Sequence, residues 1–147
     1  MMKKVLTTLV LAGTLTAAVF AQSPETLLGK TVTDPAVSSF TGTNRLDPAT
    51  GLSYENGVQV FNDGQSVYAI YLFNSTSLNG QSVNAYKGAL PFRLTFNETP
   101  ATLKSKIGQA PTTTGDQLVW DLKDYRLGVS FTDDKKTQVS YISVEKK

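Results

Sequence analysis

Cysteine and histidine are both absent from the 147 residues, and these two absences exclude much of enzyme chemistry. A chain without cysteine has no disulfide, no thiolate nucleophile and no zinc site built on sulfur. A chain without histidine lacks the usual base of a Ser-His-Asp triad and the commonest ligand of transition metals. Charged residues make up only 18%, below the roughly 25% of an average soluble domain. We therefore expect a protein that is not an enzyme, with no catalytic residues, no cofactor and no metal site.

The N-terminal residues 1–21 predict a secretory signal peptide. Two lysines precede an apolar stretch at 5–20, and the small residue Ala21 follows it, so cleavage is expected between Ala21 and Gln22. The apolar stretch, at about 16 residues, is shorter than the roughly 20 that span a bilayer, so no membrane insertion is expected after cleavage. We therefore expect an exported protein, located in the periplasm or in the extracellular medium.

Cleavage would also change the charge balance. Losing Lys3 and Lys4 leaves twelve basic residues against twelve acidic ones, so the exported chain would be neutral. A neutral chain without a basic cluster offers no electrostatic footprint for nucleic acid. The expected partner is therefore not a nucleic acid, and composition alone does not identify it.

Residues 22–147 are expected to form a single α+β domain in which a short helix and a three-stranded antiparallel meander occur twice. Each helix has an N-cap oxygen, a proline at its first position and a glycine after its end. These residues are Asp34, Pro35 and Gly42 in the first helix, and Thr99, Pro100 and Gly108 in the second. Residues 23–29 carry similar signals and predict one more short helix. The helices are expected to pack on one side of the sheet.

Three predicted strands follow each helix, because β-prone runs alternate there with turn residues. They lie at 52–54, 58–61 and 67–73 in the first half, and at 118–122, 127–131 and 139–144 in the second. Repeat 1 then spans about 23–73 and repeat 2 about 97–147, with a connecting segment at 74–96. Matching residues of the two halves are 66 to 72 positions apart, as the pairs Gly42 and Gly108, Gly57 and Gly128, and Val67 and Val139 show. Within the connection, 74–84 predicts a polar loop.

Several motifs together resemble a group of small exported bacterial proteins. They are 27–30, 34–40, 54–58, 67–72, 86–92, 99–111 and Trp120. The layout is similar to the tandem helix-plus-sheet folds of the β-lactamase-inhibitor-protein and SmpA/OmlA types. This resemblance implies a protein-binding scaffold and carries over no catalytic residue. The chain departs from the pattern at Arg93, where a glycine is expected, and it lacks the lipid-anchor cysteine of the SmpA/OmlA lipoproteins.

Aromatic side chains on or beside the predicted strands form the candidate binding surface. They are Tyr68, Tyr71, Phe73, Trp120, Tyr125 and Tyr141. A sheet with helices on one side leaves its other face open, and tyrosine and tryptophan are favoured at protein interfaces. Strict alternation in 67–73 makes neither face polar, so these aromatics either fill a core or meet a partner. The binding hypothesis is capture of another extracytoplasmic protein, in the manner of an inhibitor or an immunity protein.

Two other functions stay open. Asp121 and Asp124 flank a predicted turn beside Trp120, where a sugar ring could stack, so a carbohydrate-active enzyme or a carbohydrate-binding module is one alternative. The simpler interpretation places Asp121 in solvent and Trp120 in the core. A structural protein of the cell envelope is the other alternative. The motifs Asn62-Asp63-Gly64 and Asp133-Asp134 have the spacing of turns and not of a calcium loop.

Overall fold

A computed structural model describes residues 22–41 and 46–147 of the chain. The predicted signal peptide at 1–21 and the predicted helix stop at Gly42 lie outside the described residues. Within the described part, no helix combines the length and the apolar character needed to cross a membrane.

The helical elements of the described residues begin at prolines, and the sequence predicted those at Pro24, Pro35 and Pro100 but not the one at Pro91. The helical elements are a 3₁₀ turn at Pro24–Leu27, helix α1 at Pro35–Thr41, a 3₁₀ turn at Pro91–Arg93 and helix α2 at Pro100–Ile107. Helix α2 is capped reciprocally: the Thr99 hydroxyl accepts from the Thr102 backbone N–H at 3.3 Å, and the Thr102 hydroxyl accepts from the Thr99 backbone N–H at 2.9 Å. Gly108 ends this helix in the left-handed region, with φ 85°, which glycine adopts without steric cost.

In the part of the chain that the structure describes, nine strands form one large sheet and one separate hairpin. In chain order they are β1 Leu52–Ser53, β2 Val58–Asn62, β3 Val67–Phe73, β4 Thr76–Leu78, β5 Gln81–Val83, β6 Thr112–Thr114, β7 Gln117–Asp121, β8 Tyr125–Phe131 and β9 Val139–Lys146. The large sheet is antiparallel throughout, in the order β1-β2-β3-β9-β8-β7-β6, and β4 pairs with β5 alone. Strands β3 and β9, from opposite halves of the chain, are neighbours at its centre.

One face of the sheet packs against the helices. The main core combines side chains from α1, α2 and the first 3₁₀ turn with the inward side chains of β2, β3, β7, β8 and β9. Its largest fully buried members are Trp120, Phe40, Phe131, Leu27, Ile70, Leu72, Leu103, Leu127 and Ile142. Short helices on one face of an antiparallel sheet make this an α+β fold, which confirms the predicted class.

Two β-bulges decide which side chains face that core. Phe61 pairs with Ala69 and the next residue of β2 pairs with Val67, so Tyr68 is an extra residue in β3. Strict alternation had placed Val67 on the face of Ala69 and Tyr68 on the opposite face. Because the bulge shifts the alternation, Val67 enters the core with 0% exposure and Tyr68 is 45% exposed. Ser140 is the extra residue of an equivalent irregularity in β9.

The sequence prediction was wrong about residues 74–84, which are not a loop. Strands β4 and β5 form a hairpin there, closed by Asn79 and Gly80 with φ 52° and 77°. Positive φ at both central residues is the type I′ turn that Asn-Gly favours, so the signal was present in a segment that composition marked as polar. Strand β6 at Thr112–Thr114 was also missed, and the second half therefore has four strands of the sheet where three were predicted.

Candidate functional site

The structure divides the six predicted surface aromatics between the two sides of the sheet. Trp120 is 1% exposed and belongs to the core, because it alternates with the outward Asp121 on β7; its indole N–H donates to the Gln109 carbonyl at 3.0 Å. Tyr125 is half-buried against the same core. These two residues therefore do not line the opposite face. Tyr68, Tyr71, Phe73 and Tyr141 do lie on that face, which we call the uncovered face.

Five rings form a continuous row across the uncovered face. Tyr71 and Tyr141 stack with ring centroids 5.0 Å apart and an interplanar angle of 9°. Phe61 contacts Tyr71 edge-on at 4.9 Å and Tyr68 at 6.1 Å. At the other end, Phe73 lies 5.7 Å from Tyr141. The aromatic row is thus Tyr68, Phe61, Tyr71, Tyr141 and Phe73. The sequence prediction omitted Phe61, although the alternation of β2 with the buried Val58 and Val60 was a signal that could have placed it on this face.

The β4–β5 hairpin covers one end of the aromatic row. Phe73 is only 5% exposed because it packs with Leu52 and Val83 in a second, smaller cluster. This cluster also includes the half-buried Leu78 of the hairpin. Phe73 therefore lies beneath the hairpin and is not accessible to a partner, and the accessible end of the row is the one at Tyr68.

A carboxylate stands at the centre of the face beside the row. The Tyr71 hydroxyl donates to Glu145 Oε1 at 3.3 Å. Burial, followed by the negative charge of Glu145, raises the pKa of Tyr71 to about 12. Tyr71 is therefore a neutral hydrogen-bond donor at physiological pH, and it holds one oxygen of the carboxylate.

A row of charges crosses the sheet at the level of Glu145. Arg126 pairs in register with Glu145 of β9 on one side and with Asp121 of β7 on the other. Asp121 is held by a different residue, Lys147, whose ammonium lies 2.9 Å from its carboxylate. This hydrogen bond lowers the pKa of Asp121, aided by the charge of Arg126. Among the described residues, Arg126 itself has no ion pair within 4 Å and no side-chain hydrogen bond.

Two depressions flank Glu145. The larger one, about 420 Å³, lies over β6, β7, β8 and β9, and we call it the polar groove. It is lined by Thr112, Thr114, Gln117, Val119, Asp121, Arg126, Gly128 and Glu145. The smaller depression, about 200 Å³, lies at the exposed end of the aromatic row and is lined by Phe61, Tyr68, Ala69, Tyr71, Glu145 and Lys146. The uncovered face thus has an aromatic half and a polar half.

Small residues form the floor between these halves. Ser143 of β9 pairs with Gly128 of β8, and a Cβ on Gly128 would lie 2.5 Å from the Ser143 hydroxyl and 2.8 Å from Gln117 Nε2. Ser143 is 0% exposed, and its hydroxyl has no hydrogen-bond partner among the described residues. Gly128 is therefore the position whose missing side chain leaves room for these two polar groups.

The carboxylates of the carbohydrate hypothesis lack the environment of a general acid. A glycosidase acid requires a carboxyl with a raised pKa, whereas the pKa of Asp121 is lowered. Asp124 is exposed in the turn between β7 and β8, and Trp120 is buried on the other face of the sheet from Asp121. Within residues 22–41 and 46–147, no group of three acidic side chains is placed to hold a metal ion.

The chain matches no protein-family model, no curated protein and no solved structure.

Proposed function

We propose that this is an exported, non-enzymatic protein that binds another extracytoplasmic protein through its uncovered face, as an inhibitor or an immunity protein does. The observation that carries the proposal is the aromatic row, which ends at Tyr68 with 45% of its surface exposed. Rings that are already stacked lose little side-chain entropy on binding, and aromatic residues dominate the energetics of protein interfaces. The half-buried rings beneath Tyr68 would supply a rigid, partly apolar platform.

We further propose that the chain is a tandem duplication, with the organisation of the β-lactamase-inhibitor-protein type of fold. The two bulges support this idea, because Tyr68 and Ser140 are 72 positions apart and each stands second in its strand. Val67 and Val139, the residues before them, occupy equivalent core positions. In such a duplication the uncovered face would be composite, since Tyr71 and Tyr141 come from different halves.

Affinity capture with matched variants tests the proposed function. The exported chain, 22–147, would carry its tag at the N-terminus, because Lys147 lies on the uncovered face. Tyr68→Ser is compared with Phe92→Ser, since Phe92 is 42% exposed but belongs to the 3₁₀ turn before α2. We expect one stoichiometric partner, bound ~10-fold more weakly by Tyr68→Ser and unchanged by Phe92→Ser.

Folding measurements separate a binding role from a core role. If the double variant Tyr71→Ser, Tyr141→Ser loses its cooperative unfolding transition, the row is part of the core and the proposal is refuted. Equal losses of partner by Tyr68→Ser and Phe92→Ser would also refute it. Sedimentation of the exported protein with the envelope, with no soluble partner, would favour the structural role instead.

A further inference from the structure

The polar groove contains hydrogen-bond donors that the protein itself does not use. Arg126 offers five N–H groups and has neither a salt bridge nor a hydrogen bond to any other described residue. The Gln117 amide and the hydroxyls of Thr112 and Thr114 likewise make no side-chain hydrogen bond within the described part of the chain. All four side chains line the same depression of about 420 Å³.

The two carboxylates of the groove, by contrast, each have one oxygen bound by another residue of the protein. Asp121 accepts from Lys147, at 2.9 Å, and Glu145 accepts from the Tyr71 hydroxyl at 3.3 Å. Arg126 can only donate, so a ligand that contacts its guanidinium must supply acceptors. A carboxylate is the acceptor that best matches a guanidinium, because two parallel N–H···O bonds can form at once.

A buried group at the edge of the groove supports this assignment. The Ser143 hydroxyl is fully buried and has no hydrogen-bond partner among the described residues, which is unfavourable for a polar group. It lies against Gly128, which lines the groove and has no side chain to separate the hydroxyl from it. Gln117 reaches over the same glycine. Movement of the Gln117 side chain would therefore open Ser143 to a ligand atom above Gly128.

We propose that the polar groove binds an acidic side chain, Asp or Glu, of the protein partner, with Arg126 as the principal contact. This inference rests on the proposed function and adds the chemistry that the partner must present. The charged side chains that line the groove are Arg126, Glu145 and Asp121, the last with its counterion Lys147. Glu145 opposes an incoming carboxylate, so its removal should strengthen binding.

Titration with short peptides tests the groove without knowledge of the partner. Hexaglutamate is added to the ¹⁵N-labelled exported protein at low salt, and the Arg126 side-chain N–H and the Gln117 amide signals are followed. We expect saturable shifts at both groups, affinity lowered ~10-fold by Arg126→Gln and raised ~3-fold by Glu145→Gln. Arg93→Gln is the matched control, because Arg93 is also exposed but lies before α2, and it should change nothing.

The outcomes distinguish this inference from its alternatives. Absence of shifts at Arg126 and Gln117, or equal binding by wild type and Arg126→Gln, overturns it. Stronger binding of hexalysine, weakened by Glu145→Gln, would show that the face takes cations. Tighter binding of trigalacturonate than of hexaglutamate would assign the groove to an acidic glycan and overturn the commitment to a protein.

The capture experiment then separates the two proposals. A captured partner whose affinity is unchanged by Arg126→Gln refutes the groove assignment and leaves the binding function standing. Peptide binding with no captured partner would refute the binding function while the carboxylate chemistry of the groove remains. Gly128→Ala provides a second variant, because its new methyl group fills the space above Ser143 and should weaken hexaglutamate without altering a surface charge.

Discussion

Replacing Gly57 with alanine should destabilise the protein strongly, because this residue lets two backbone segments touch. Gly57 has φ 63°, and a Cβ there would lie 2.1 Å from the Asn84 carbonyl oxygen and 2.7 Å from the Tyr86 backbone nitrogen. The segment at 84–86 returns from the β4–β5 hairpin and is tied to the sheet by the hydrogen bond from Tyr86 N–H to the Phe73 carbonyl, at 2.9 Å. The added methyl would therefore separate the hairpin from the aromatic row that it covers.

Two costs add at this position. A left-handed backbone costs an L-residue roughly 1–2 kcal/mol, and overpacking against backbone that cannot rotate away costs roughly 1–3 kcal/mol more. Gly64 is the matched control, since its φ is 92° but a Cβ would meet no described atom within 4 Å. Urea unfolding should thus show a loss of about 2–5 kcal/mol for Gly57→Ala and about 1–2 kcal/mol for Gly64→Ala. Equal losses in the two variants would refute the contact between Gly57 and the returning segment.

Three further predictions concern buried polar groups. Burial alone would raise the pKa of Glu98, but hydrogen bonds from Lys106 and neighbouring groups outweigh burial and hold the pKa below 4.5. The wild-type protein should therefore be more stable than Glu98→Gln at neutral pH, and this difference should disappear as the pH falls below 4.5. Thermal unfolding across that range measures this loss. Ser143→Ala should raise the free energy of unfolding by about 1 kcal/mol in urea, because it removes an unsatisfied hydroxyl; a loss would show that the hydroxyl is satisfied. In an ultraviolet titration, Tyr71→Phe should show one fewer tyrosine ionising near pH 12 than the wild type. The contribution of the Tyr71 hydroxyl to the free energy of unfolding should decline as the pH rises from 10 through 12.

Local signals in the sequence predicted the helical elements well. A proline at the first position and a cap before it act within four residues, so the starts of α1 and α2 follow from the chain itself. The capping of α2 by Thr99 and its end at Gly108 are confirmed in the same way. The alternation of Trp120 and Asp121 on β7 also holds, because that strand has no bulge.

Features that depend on pairing between strands were not predicted. Alternation places Val67 on the face of Ala69 and Tyr68 on the opposite face. The bulge exchanges the faces of these two residues, and its presence depends on how β2 aligns with β3. Arg126 and Ser143 were not predicted as site residues, since nothing local relates an arginine of β8 to a serine of β9, and Gly128 was noted only for its match to Gly57. A glycine inside a β-prone run was the one available signal, because it often marks a close approach.

The location of the candidate site follows from the same non-local pairing. Tyr71 and Tyr141 stack because β3 and β9 are neighbours, although 70 positions separate the two residues. On the uncovered face, Glu145 of β9 then lies between the aromatic row and the polar groove with Arg126. The second half contributes Tyr141, Arg126 and Ser143, but the stacked ring pair and the hydrogen bond from Tyr71 to Glu145 require both halves. Binding through the aromatic row should therefore depend on the pairing of β3 with β9, whereas binding in the polar groove, which β6 to β9 line without β3, should depend on it less.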